Sequence, residues 1–155
     1  MKDFKLLLLS FFFIPSVFGR IEPIHLLPDW KVKSIAKTAE LDGDWYKAST
    51  YYEEYLSRVG ESKEILSALG KSYFNAKDYL NANEVYEGLV LDYPEEGDFL
   101  LKYAQLQKNL GRHESALSYF ERYQRNFLND NPDEELSAME RDIMLSTGCI
   151  PNRLR

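Results

Sequence analysis

One cysteine and two histidines are all the thiol and imidazole in the 155 residues. A lone Cys149 cannot close an intramolecular disulfide, so in an exported chain it is either an unpaired thiol or an intermolecular link. It lies near the C-terminus with no basic residue or histidine placed to activate it, which favours the inert thiol. Neither His25 nor His113 stands four residues from a second ligand, so a zinc site of the HExxH kind is excluded and no metal is expected. There is no G-x-S-x-G, and the eight glycines are scattered as helix punctuation rather than gathered into a phosphate loop. The acid pairs Glu53-Glu54 and Glu95-Glu96 are neighbours in sequence only, since adjacent residues on a helix point in different directions. The chain therefore reads as a non-enzyme, with no catalytic residue, cofactor or small-molecule substrate.

Also missing are a basic excess and a long apolar run. Nineteen Lys and Arg against 25 Asp and Glu give a formal charge of −6, a poor field for phosphate backbones, so nucleic acid is not an expected partner. The apolar stretch Leu6–Phe18 falls short of the about 20 residues a membrane helix needs, and Pro15 interrupts it. Behind Lys2 and Lys5, and ahead of Val17 and Gly19, it has the layout of a secretory signal peptide cut before Arg20. An uncleaved N-terminal anchor is the other reading of the same segment. No cysteine follows the cut, so a lipoprotein acceptor is absent. Removal of residues 1–19, which carry Lys2, Lys5 and Asp3, takes the formal charge to −7. The expected location is exported, in the periplasm or cell envelope, with membrane association only through a partner or an uncleaved segment.

What the chain does have is a period. Ala48, Ala82 and Ala116 are 34 residues apart, and each is followed four residues later by an aromatic: Tyr52, Tyr86 and Phe120. A fixed period of this length marks stacked helix-turn-helix units. The small residue lets two helices approach, and the ring one turn on fills the space beside them. In the best-formed unit Leu66, Leu69, Gly70 and Tyr73 share one face of a first helix. Ala82, Tyr86 and Leu89 share one face of a second, and Pro94 ends it. The order L-x-x-L-G-x-x-Y, then A-x-x-x-Y-x-x-L and P, closely resembles the tetratricopeptide repeat family. The first unit matches with Val32, Ile35, Ala36, Ala39, Ala48, Tyr52 and Tyr55, and has Gly60 in place of the proline. The third matches with Leu100, Tyr103, Ala104, Ala116, Phe120 and Tyr123. It departs at Gln107, where the tyrosine would be, and at Leu128, where the proline would be.

The resemblance implies an all-α, right-handed solenoid of about three hairpins, over residues 29–60, 63–94 and 97–128. Gly43-Asp44, Lys77-Asp78 and Gly111-Arg112 fall at equivalent turns, where glycine suits a left-handed helix end and Asp78 suits an N-cap. Before the repeats, residues 20–28 read as an extended lead-in, with Asp29 as the first N-cap. After them, residues 132–146 read as a capping helix that starts at Asn131-Pro132. Leu136, Met139 and Ile143 form its apolar stripe, and residues 147–155 are a tail.

Members of the family hold a peptide or a partner helix on the concave side, which the first helix of each unit lines. Carried over by position, that side comprises Trp30, Lys33, Lys37 and Leu41, then Ser67, Lys71, Phe74 and Asn75, then Leu101, Gln105, Lys108 and Asn109. This strip is basic on an otherwise acidic chain, and Phe74 and Leu101 are apolar where the hairpin core does not need them. An acidic peptide or a protein partner is the expected ligand. The alternative is a self-associating array with an empty groove. The strip does not reproduce the family's carboxylate clamp, because Lys37 stands where asparagine is wanted and Asp98 where a basic residue is wanted. A narrower similarity runs over Leu69–Tyr79 and Tyr103–Arg112. It resembles the repeat region of Bacteroidota envelope proteins that also carry a β-propeller and an OmpA-like domain, some of which serve secretion or gliding. It implies an adaptor in a cell-envelope or secretion assembly.

Overall fold

The structure, a computed structural model, describes residues 23–128 and Leu145. The signal segment, the tail with Cys149 and, Leu145 aside, the expected capping helix lie outside the described residues. Six helices follow one another: α1 (Asp29–Asp42), α2 (Trp45–Val59), α3 (Lys63–Asn75), α4 (Tyr79–Asp92), α5 (Gly97–Asn109) and α6 (His113–Tyr123). A π-helical turn, Gln124–Leu128, continues from α6. Packing runs chiefly between successive helices, α1 on α2 through to α5 on α6. That is the pattern of a stacked array, in which each unit is stabilised by its neighbours.

The period is the core. Ala48, Ala82 and Ala116 are all fully buried, as are or nearly are the rings of Tyr52, Tyr86 and Phe120 four residues on. On the first helices Leu69, Gly70, Tyr73 and Ala104 are buried against them. Position 70 shows why it is small. A Cβ there would meet the Tyr86 ring at 3.0 Å and Val85 at 3.1 Å; Ala36 and Ala104 hold the same place in the outer units.

The three turns are superimposable in their bonding. The N–H of Asp44, Asp78 and Arg112 donates to the carbonyl of Ala39, Tyr73 and Gln107, at 2.8, 2.9 and 2.8 Å. One residue earlier, the N–H of Gly43, Lys77 and Gly111 donates to Glu40, Phe74 and Lys108. This pair of bonds ends each first helix and requires a left-handed residue. Gly43 and Gly111 supply it at φ 76° and 73°, and Lys77 is held there at 63° without the freedom of glycine. Asp44 and Asp78 then cap α2 and α4 by accepting from the N–H of Lys47 and Asn81.

Two expectations about the lead-in are corrected. Residues 24–26 form one turn of 3-10 helix within the lead-in expected to be extended. The N-cap of α1 is Pro28, with Asp29 inside the helix. Arg58 of α2 touches both places. Its guanidinium donates to the carbonyls of Ile24 and Leu27, at 2.8 and 2.6 Å, and pairs with Asp29 at 3.3 Å and with Glu54. Asp29 is therefore spent on Arg58 and not on the helix's own N–H groups.

Candidate functional site

A cavity of about 370 Å³ opens between α3 and α5. Ser67, Lys71, Phe74 and Asn75 line it from α3, Asp98, Phe99 and Lys102 from α5, and Tyr86 of α4 joins them. Tyr86 and Phe99, both buried, form its ring-lined floor. Phe74 stands half-buried beside them, edge-on to Tyr79 at 5.8 Å between centroids. The Lys102 ammonium lies 5.6 Å from the centre of the Phe74 ring, a cation held over an aromatic face. Burial pushes the Lys102 amine below its ordinary value. Asp98 acts against that shift and the Lys71 charge adds to it.

The cavity is not uniformly basic. The Lys71 ammonium donates to Glu40 of α1 at 2.8 Å, and the Tyr52 hydroxyl donates to the other oxygen of the same carboxylate at 2.7 Å. Burial pushes the Glu40 carboxyl up. The hydrogen bonds from Lys71 and Tyr52, with the charges of Lys71 and Lys37, outweigh it and leave the group below its usual range. Asp98 sits in the wall with Lys102. The site thus offers two ammonium groups and one carboxylate above a ring-lined floor, with a second carboxylate on Lys71.

Of the residues expected to bind, the structure brings Lys71, Phe74 and Asn75 together with Ser67. Leu101 is elsewhere: it packs on Ala104 and Phe120 in the third hairpin, so its apolar side chain is explained by the core. Lys33 places its ammonium 5.2 Å over the Tyr55 ring within the first hairpin. Lys37 is exposed on α1, and Gln105, Lys108 and Asn109 lie on α5 away from the cavity. Sequence reading missed Lys102 and Phe99 as site residues, and took Asp98 and Tyr86 only as a departure from a motif and as core. Asp98 was within reach, because it lies one period after Glu64 and two after Trp30, both on the first-helix face. Among the described residues no group of histidine, cysteine, aspartate or glutamate could hold a metal, and no helix is long and apolar enough to cross a membrane.

Residues 65–96 and 98–127 match the tetratricopeptide repeat. Solved structures share the fold. The Sgt2 TPR domain from Aspergillus fumigatus is 18% identical, with a TM-score of 0.61 over 77% of this chain and 76% of that one. The first TPR of Spaghetti (RPAP3), bound to the HSP90 peptide SRMEEVD, is 12% identical, with a TM-score of 0.62 over 77% and 90%. The Yersinia enterocolitica type III secretion chaperone SycD, in complex with a peptide of the translocator YopD, is 19% identical, with a TM-score of 0.60 over 75% and 92%. No protein of curated function matches the chain.

Proposed function

Because the chain is an array of tetratricopeptide repeats, we propose that it is an exported adaptor whose α3–α5 cavity holds an acidic peptide or tail of a partner protein in a cell-envelope or secretion assembly. The observation that carries this reading is the convergence of Lys102 and the Glu40-bridged Lys71 on one cavity lined by Phe74, Phe99 and Tyr86. Two ammonium groups suit carboxylates, and the rings suit one apolar side chain between them. Structures of the same fold include one bound to the HSP90 peptide SRMEEVD, which is rich in carboxylates, and one bound to a translocator peptide. The signal-like N-terminal layout supports export.

Affinity capture from envelope extract tests the reading, with the full chain beside its Lys71→Glu/Lys102→Glu version. Captured segments are then synthesised and titrated by fluorescence anisotropy. We expect a captured partner whose binding segment is acidic and whose affinity falls at least about tenfold in the double variant, the effect of setting like charges opposite each other. Equal binding of that segment by both chains would move the contact off the cavity.

A further inference from the structure

Two exposed helix stripes, far apart in sequence, have the same spacing and opposite charge. On α1, Trp30, Ser34, Lys37 and Leu41 lie at offsets of four, seven and eleven residues. On α4, Leu80, Glu84, Glu87 and Leu91 repeat those offsets. At 100° per residue each set falls within a narrow band, opposite the buried band of its helix: Val32, Ala36 and Ala39 on α1, and Ala82, Tyr86, Leu89 and Val90 on α4. Both stripes are about 16 Å long at 1.5 Å per residue.

Their ends are apolar and open to solvent. Trp30 is 72% exposed and Leu41 88%, Leu80 67% and Leu91 72%. A single exposed leucine needs no explanation. Four large apolar residues that bracket two charged centres in matching order are a different matter. The charged centres are also unspent: Glu84 and Glu87 form no ion pair with another described residue, and Lys37 acts on Glu40 only through space.

We propose that α1 of one copy docks on α4 of a second copy. The apolar ends meet one another, and Lys37 falls between or beside Glu84 and Glu87. Both helix directions satisfy this pairing, because the offsets and the central charges match either way. The two surfaces are different patches, so the contact is heterologous. Each copy keeps one free α1 and one free α4, and the assembly grows as a ring or an open filament rather than stopping at a dimer. The α4 stripe is no part of the α3–α5 cavity, so this assembly stands or falls apart from the ligand reading.

The test is sedimentation velocity of the full chain over a wide concentration range, with tryptophan emission, recorded in a Trp45→Phe background so that it reports Trp30, as a second readout. Oligomers beyond the dimer should appear as concentration rises, with a blue shift as Trp30 leaves water. Lys37→Glu alone and Glu84→Lys/Glu87→Lys alone should each shift the association midpoint to at least about tenfold higher concentration. Mixing the two variants should restore assembly, because each reversed stripe then meets its complement. A chain that stays monomeric throughout overturns the proposal. So does assembly that ignores both reversals, or variants that fail to rescue each other. Far-UV circular dichroism of the two variants keeps misfolding from passing as lost association.

Discussion

The inside of the hairpins and the face of their first helices follow opposite rules. Inside, equivalent positions carry equivalent residues: alanine at 48, 82 and 116, and a ring at 52, 86 and 120, all buried. On the first-helix face the same period gives Trp30, Glu64 and Asp98 at one place, and Glu40, Phe74 and Lys108 at another. Helix packing asks the same volume of every unit, so it enforces repetition. A ligand asks for a different group at each point along its length. In an array of like units, the places where the period fails mark the surface free to recognise something.

The hardest test of that division is Tyr86, which belongs to both regions. Its ring packs in the second hairpin and also lines the cavity. Tyr86→Ala should remove about 3–5 kcal/mol of stability, the range for emptying a buried aromatic site, read as a fall in the denaturant midpoint. Lys71→Gln, at an exposed position of the same cavity, loses only the surface pair with Glu40 and should cost about 1 kcal/mol or less. A Tyr86→Ala chain that melts like the parent would break the comparison, since the interior would then not be what holds the array.

Alkali should separate the two regions on one axis. Burial, with the charge of Asp98, pushes the Tyr86 hydroxyl up to about 12 from its ordinary 10. A group whose folded value is raised contributes fully below its unfolded value and loses that contribution as pH climbs to the folded one. Stability should therefore decline between pH 10 and 12, by at most ~3 kcal/mol from this residue, and Tyr86→Phe should lessen the decline. Tyr103, raised to about 12 by burial first, keeps part of it in that variant. Lys102 moves the other way, losing its charge below the usual 10.5. Thermal melts and peptide titrations along one pH series should show the cavity losing its acidic ligand before the array loses its fold.

The smallest expected effect is at the middle turn. Lys77 adopts the left-handed conformation that Gly43 and Gly111 adopt in the outer units, and an L-residue pays roughly 1 kcal/mol for it. Lys77→Gly should stabilise the chain by no more than about 1 kcal/mol, because glycine also widens the unfolded ensemble. A chemical melt that shows clear destabilisation would mean that the lysine side chain itself supports the turn.

Legibility from sequence followed the same boundary. The alanines and rings of the 34-residue period are buried, with Leu69, Gly70, Tyr73 and Ala104 beside them, because repetition in sequence is how repeated packing is written; Ile35, Tyr55, Leu66 and Tyr123, read on the same faces, are only half-buried. The turns were readable where glycine marked them, and the left-handed state of Lys77 was hidden because nothing in a lysine announces it. The lead-in was misread because the residue that bonds its carbonyls, Arg58, lies about 30 residues away. The cavity was half readable. Lys71, Phe74 and Asn75 came from their positions in the motif, whereas Lys102 lies outside the positions that a family pattern transfers. The Lys71–Glu40 pair joins two units, and no single-unit pattern contains it. Leu101 drew a functional reading because its contacts with the third hairpin are invisible in a helical wheel.

Since packing runs mainly from each helix to the next, the chain closes its contacts over short loops. Short loops give fast folding and small entropic barriers. Each hairpin forms over a short loop and gains its stability by stacking on its neighbour, so contacts accumulate from unit to unit. The described array can thus be completed from one end to the other, each hairpin docking on the one before it.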